Sequence, residues 1–397
     1  MRFINQLDIT GKKLLIRVDF NVPLDGETIT DDNRIKAGVP TIKYALEKGA
    51  AVIVMAHLGK PKGEKVVKYS LKPVAKRLGE YLGLEVVLAP DCVGPEVEKM
   101  AAALKPGQVL MLENLRYHPE EQGKTPEERG DFGAKLASLA DIYVNDAFGV
   151  AHRPNASVVD VPYSAKQCCA GFLLKLEWEN LGEALKAPKK PYIAISGGAK
   201  VSTKLGILNN LIGKVDHFII GGAMANTFLL AQGKNVGKSL VEDSLVDTAR
   251  EIMTKAAASG TDLHLPEDFV WGVNTDEASG ICTGDNVPEN GMLLDIGPVT
   301  AQKFCDVISE AQTIVWNGPM GLFEKPAFAE GSMKVCKAMA ESDGTTIVGG
   351  GDTDAVVHKA GLQDDFTFIS TGGGSFLEFL EGKELPAFKA LKENLDK

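Results

Sequence analysis

Short runs rich in Val, Ile and Leu recur along the whole of this chain, separated by stretches that have room for amphipathic helices. Runs of four to six residues with almost no polar interruption are the mark of strands buried on both faces, and helix-length spacers are the crossovers that parallel strands require. In the first half the runs are Lys13 to Val18, Ala51 to Ala56, Glu85 to Leu88, Val109 to Leu112 and Asp141 to Val144. In the second they are Tyr192 to Ile195, His217 to Ile220, Asp262 to Leu265, Thr313 to Trp316, Thr345 to Val348 and Phe366 to Ile369. This rhythm predicts an α/β chain with two doubly wound, Rossmann-like parallel sheets.

At 397 residues the chain exceeds what one hydrophobic core normally supports, which also argues for two domains. The expected division is residues 1–170, an interdomain helix at 171–186, and a second domain at 187–379. The helical stretch Gly171 to Leu185 precedes the breaker and charge cluster Lys186-Ala-Pro-Lys-Lys-Pro191, of the kind that separates modules, so the helix is expected to act as a hinge. Leu385 to Leu395 reads as a short amphipathic helix opened by Pro386.

Composition narrows the function classes. With 44% apolar and 24% charged residues the chain is neither disordered nor fibrous. The six cysteines show no Cys-x-x-Cys spacing, and Cys168 and Cys169 are adjacent, which favours a reducing, cytoplasmic setting over disulfides or zinc. The N-terminus lacks a signal-type apolar segment, and no later stretch is long and apolar enough for a membrane span. The net charge of −10 is uneven: residues 1–170 carry 23 basic against 22 acidic residues, leaving 20 against 31 in the remainder. An acidic chain makes a poor nucleic-acid binder, and the contrast points to different ligands for the two halves.

Most strands of the second half end in glycines: Gly197-Gly198, Gly221-Gly222, Gly349-Gly350-Gly351 and Gly372-Gly373-Gly374. Turns from strand to helix need glycine in any case, so one cluster decides nothing. Four on one sheet edge suit a nucleotide, because backbone N–H groups then approach phosphate unobstructed. Lys200 and Lys204 follow the first cluster at helical i, i+4 spacing, where they would share a face and favour an anion, unless they are simply solvated. Asp352 after the third cluster is a candidate Mg2+ ligand, and Thr353 a candidate cap for a helix Asp354 to Ala360. Asn317 and Glu324 follow a further strand and suit a ribose, or else a tight loop with an exposed carboxylate. Gly233 to Ser239 imitates a phosphate-binding loop but has three residues between its glycines where four are required, so it is read as a surface loop.

In the first half, Asp19 and Asn21 end the first strand on one face and suit hydroxyl groups. Arg34 stands near a helix start, where helix dipole and guanidinium together favour an anion; a salt bridge to Asp31 or Asp32 is the plain alternative. His57, Arg116 and Arg153 each follow a different strand. A lone His or Arg is usually structural, but three strand ends each supplying one build a positive basin for a small polyanion.

These segments, in order from Arg17-Val-Asp-Phe-Asn-Val-Pro23 through Trp316-Asn-Gly-Pro-Met-Gly321 and Gly349-Gly-Gly-Asp-Thr353 to Thr371-Gly-Gly-Gly374, closely resemble the phosphoglycerate kinases over nearly the whole chain. The resemblance implies reversible, Mg2+-dependent phosphoryl transfer between 1,3-bisphosphoglycerate with ADP and 3-phosphoglycerate with ATP, by domain closure, in a monomer. It implies a phosphoglycerate site of Asp19, Phe20, Asn21, Arg34, His57, Leu58, Gly59, Lys60, Arg116 and Arg153. The implied nucleotide site comprises Gly197, Gly198, Lys200, Lys204, Gly221, Gly222, Asn317, Glu324, Gly350, Gly351, Asp352 and Thr353, with Gly372, Gly373 and Gly374 as a phosphate loop and Asp352 toward the metal. Arg34, Lys200 and Lys204 are the expected catalytic cations, and the tail, residues 380–397, is expected to return to the first domain. Lys60 stands where Arg is frequent, Asn155 where His is often seen, and Ser375-Phe376 where Ala-Ser is usual. A non-catalytic two-lobed anion receptor and a dehydrogenase are the rivals, weakened by the missing export signal and the missing Gly-x-Gly-x-x-Gly fingerprint respectively.

Overall fold

In the computed structural model, which describes residues 1–395, the chain forms two compact units: Met1–Glu179 with the segment that starts at Glu384, and Asn180–Lys383. All eleven apolar runs are strands, with ends within two residues of expectation. The first unit holds β1 (Lys13–Val18), β2 (Ala51–Met55), β3 (Val86–Leu88), β4 (Val109–Met111), β5 (Ile142–Asp146) and β6 (Cys168–Ala170) in one parallel sheet. Its order is β3-β4-β2-β1-β5-β6. Every residue of β2 and β5 is buried, as continuous apolar runs demand when helices cover both faces.

The second unit repeats the plan with β7 (Tyr192–Ser196), β8 (His217–Ile220), β9 (Asp262–His264), β10 (Thr313–Asn317), β11 (Thr345–Gly349) and β12 (Phe368–Ser370), in the order β9-β8-β7-β10-β11-β12. In each sheet the chain first builds to one side of its founding strand and then to the other. The order therefore reverses between β1 and β5, and between β7 and β10, which opens a crevice at the carboxyl ends of those strands.

Three features escape the apolar-run signal, one of them the two-stranded hairpin of Leu24–Asp25 and Thr28–Ile29. Strand β6, Cys-Cys-Ala, is three residues long with no branched side chain, and both of its cysteines are buried. A three-stranded antiparallel sheet, Asp268–Gly272, Gly280–Thr283 and Met292–Ile296, is another, and Gly280–Thr283 is mostly exposed.

The helix Phe172–Lys186 begins where Asp146 ends β5, and the Asp146 carboxylate accepts N–H bonds from Leu173 (2.9 Å) and Leu174 (3.2 Å), satisfying donors of the first turn. The C-terminal helix Pro386–Glu393 lies in the first unit. Its Phe388 ring stacks on Phe148 at 6.1 Å and meets Trp178 edge-on at 4.9 Å, and Ala387 N–H donates to Ala151 O. No helix among the described residues is long and apolar enough to cross a membrane.

Candidate active site

In the first unit a cationic basin forms around the end of β1. Arg17, fully buried, donates through Nε to Ser157 Oγ (2.8 Å) and lies 3.8 Å from the buried Glu121, which in turn accepts from Ser157 N and Oγ. Arg17 Nη2 also reaches His57 Nδ1 at 3.3 Å. Because a guanidinium only donates, that contact makes Nδ1 an acceptor and leaves the histidine proton on Nε2. Burial, reinforced by the charges of Arg17, Arg116, Arg153 and Arg34, holds the His57 imidazole well below its ordinary range, so it is neutral.

Asp19 pairs with Arg34 through Oδ2 at 2.7 Å, while its Oδ1 is buried without a hydrogen-bond partner among the described residues. Arg116 donates from Nη1 to Gly59 O (2.7 Å), and its Nε is buried without a hydrogen-bond partner among the described residues. Burial, with Arg153 and Arg17 nearby, brings the Arg116 guanidinium down to about 10. A buried acceptor and a buried donor left unsatisfied in a basin of like charges are what a bound anion carrying a hydroxyl would complete. Arg153 is exposed beside His152, where burial and Arg153 lower the imidazole to about 4.

The structure separates the expected residues of this basin. Asn21 Oδ1 accepts from Gly59 N (2.8 Å) and secures the loop after β2. Phe20 is fully buried, its ring filling the space that Gly38 leaves by having no Cβ, so its side chain belongs to the core. Leu58 likewise packs in the core, with its backbone N–H and C=O both engaged by Asn114. Lys60 is exposed, and Asn155 is buried. Arg17, Glu121, Asn114 and Ser157, which hold the basin from beneath, were not singled out from sequence; the one available signal was a charge, Arg17, inside an otherwise apolar strand.

In the second unit the crevice between β7 and β10 opens into a cavity of about 340 Å3 lined by the turns after β7, β10 and β11. Gly197 is obligatory there, since a Cβ would stand 2.1 Å from Pro319 O, and one on Gly350 would stand 2.4 Å from Asn317 Nδ2. Lys204 is buried in this wall, its Nζ donating to Asn317 Oδ1, while Asn317 Nδ2 donates to Gly349 O (2.5 Å). Burial lowers the Lys204 amine to about 8, with Asp352 and Glu381 opposing the shift. Asp352, exposed, is the only acidic residue lining this cavity among the described residues. A second cavity of about 330 Å3 shares Gly198, Ala199, Pro319 and Asp352 with the first. Its further walls are mostly apolar, including Leu240, Met292 and Leu294, with Gly222 among them and Glu324 on the exposed side.

Several expectations need correction here. Lys200 and Lys204 do not share a helix face, because residues 201–204 form turns and the helix begins at Leu205 with Lys204 as its preceding residue; one amine is exposed and the other buried. The helix after the third glycine cluster starts at Gly351, and Thr353 is inside it, its hydroxyl accepting from Gly318 N (2.7 Å) to tie the two turns together. Gly221 lines neither cavity; a Cβ there would meet Met320 Sδ at 2.4 Å, so it serves packing. Of Gly372, Gly373 and Gly374, only Gly373 lines the first cavity. The unusual Phe376 is fully buried against Gly349, where a Cβ would lie 2.4 Å from its ring. In the Gly233–Ser239 loop, Ser239 is buried and accepts from Leu293 N, so the loop is more firmly held than a surface loop.

An apolar chamber joined to a glycine-walled one, at a strand-order reversal and with a desolvated amine in its wall, has the form that α/β phosphotransferases use to hold a nucleotide by base and phosphates, and this chain is of that class. The comparisons give the particular family. The sequence profile described as phosphoglycerate kinase matches residues 4–383. A phosphoglycerate kinase of Maridesulfovibrio salexigens is 81% identical over 395 residues, 99% of this chain and 100% of the relative. One of Moorella thermoacetica is 52% identical, covering 98% of each. The solved phosphoglycerate kinase of Coxiella burnetii superimposes with a TM-score of 0.91 at 41% identity, over 99% of both chains. The chain belongs to the phosphoglycerate kinase family.

Proposed function

We propose that this enzyme transfers a phosphoryl group reversibly between 1,3-bisphosphoglycerate with ADP and 3-phosphoglycerate with ATP, with the nucleotide in the joined cavities of the second unit and the phosphoglycerate in the basin of the first. The observation that carries this reading is the pair of adjoining cavities, about 340 and 330 Å3, one walled by glycines and Lys204 and the other mostly by apolar side chains. Phosphates sit against the backbone N–H groups after β7 and β11 and against Gly373; the base sits among Leu240, Met292 and Leu294, with Glu324 toward the ribose. Asp352 suits Mg2+, since one carboxylate beside phosphate oxygens is the donor set this ion favours. When bound, Mg2+ neutralises charge on the polyphosphate.

Asp19 accepts from the substrate hydroxyl, Arg116 and Arg153 bind its anionic groups, and neutral His57 donates from Nε2. Lys204 and Arg34, with Lys200 assisting, place positive charge on the equatorial oxygens of the moving phosphoryl group. No general base is needed, because the acceptor is already an anionic oxygen. The two half-sites meet by closure about the helix Phe172–Lys186, which excludes water from the transfer. The enzyme works as a cytoplasmic monomer and, at a net charge of −10, without nucleic acid.

The test is ATP formation from ADP and 1,3-bisphosphoglycerate. Lys204→Ala and Arg34→Ala should each lower kcat by roughly 10²-fold or more while KM changes less. Near-normal turnover in either variant removes that residue from the transfer step.

A further inference from the structure

At the edge of the second sheet, β8 and β9 run in parallel with His217 opposite Asp262 and Ile219 opposite His264. Paired residues of neighbouring strands share a face, and residues two apart along a strand share it again, so His217, Asp262 and His264 project from one side of the sheet. Their polar atoms converge. His217 Nδ1 is 3.1 Å from His264 Nε2 and 3.8 Å from Asp262 Oδ2, and one ligand atom from each residue lies within 4.8 Å of the others.

We propose that His217, His264 and Asp262 form a surface binding site for a divalent transition-metal ion of the zinc type. Two ligands each about 2.0–2.1 Å from a tetrahedral zinc are about 3.3 Å apart. The imidazole nitrogens are already within a few tenths of an ångström of that separation, and the carboxylate oxygen is about half an ångström beyond it from His217 Nδ1. As the protein stands, one proton lies between the two nitrogens in a hydrogen bond. A metal ion replaces that proton and bonds both nitrogens at once. Both histidines are part-buried, so little rotamer freedom remains to be lost on binding, while Asp262 is exposed and leaves water free to complete the coordination. Two imidazoles and one carboxylate favour zinc, nickel or copper over magnesium, which prefers oxygen donors alone.

The cluster is separate from the nucleotide cavities. None of the three residues lines either cavity, and β9 lies two strands from β7, whose end makes the phosphate-binding turn. A bound ion would link the edge strand to its neighbour just before the chain enters the antiparallel sheet at Asp268.

Calorimetric titration of the full chain with ZnCl2, in excess MgCl2 to occupy oxygen-donor sites, tests the proposal. The expected result is one saturable Zn2+ per chain, with affinity lowered at least about tenfold by His217→Ala or His264→Ala and reduced by Asp262→Asn. Retained kinase turnover in zinc-free buffer shows that each variant is folded. If a histidine variant fails to fold, the exposed Asp262→Asn is read together with histidine NMR of the unaltered chain, where Zn2+ must shift the His217 and His264 ring signals. No saturable binding, undiminished affinity in the variants, or shifts confined to other histidines would overturn the site.

Discussion

Lys204 pairs its amine with Asn317 Oδ1 in a wall from which water is largely excluded, and burial brings the amine to about 8. In the unfolded chain the same group titrates near 10.4, so between those values the unfolded state binds more protons. Stability therefore rises with pH across that window, and below about 8 the full cost of holding a charged amine in the wall is present. Lys204→Met removes the cost and should raise Tm at pH 7 by roughly 2–4 °C while abolishing turnover. Calorimetry at pH 7 and pH 10 checks this, since the gain must shrink at the higher pH; an equal shift at both would assign it to packing. That this lysine lines the crevice was legible from its place after Gly197-Gly198. Its burial was not, because i, i+4 spacing carries a face only where a helix exists, and the helix begins at Leu205.

Asp146 joins two elements: it ends β5 and accepts N–H bonds from the first turn of the helix Phe172–Lys186. Burial raises its carboxyl to about 7, opposed by hydrogen bonds from Thr41, Leu174 and Leu173. Between about 4, its unfolded value, and 7 the folded state binds the extra proton, so this group makes stability fall as pH rises, by at most roughly 1.4 kcal/mol per pH unit. Asp146→Asn keeps a carbonyl acceptor for the helix and does not titrate. Its urea-unfolding midpoint should lose that part of the pH dependence between pH 4 and 7; an unchanged slope would assign the dependence to other groups. The strand itself was readable as an apolar run, whereas the cap was not, since a residue 26 positions before Phe172 becomes its neighbour only when β5 and β6 pair.

The first unit is completed by the last segment of the chain. Leu385, Phe388 and Leu391 are buried there, each worth about 1.5–3 kcal/mol of transfer free energy, and together they rival the net stability of an ordinary domain. Ending the chain at Lys383 should therefore unfold the first unit at 37 °C and abolish turnover, while ADP binding by the second unit, measured calorimetrically, persists; loss of both together would make the units one cooperative body. Sequence by itself determined eleven of the twelve strands of the two parallel sheets, because buried strands favour continuous apolar runs, and it determined the glycine turns and most of the cations at their ends. Only the tertiary structure decided which polar groups are desolvated, which glycines line a cavity and which make room for Phe20, Met320 or Phe376, and where the tail packs. Those properties arise from residues distant in the chain brought within a few ångströms, and a one-dimensional pattern carries no record of that distance.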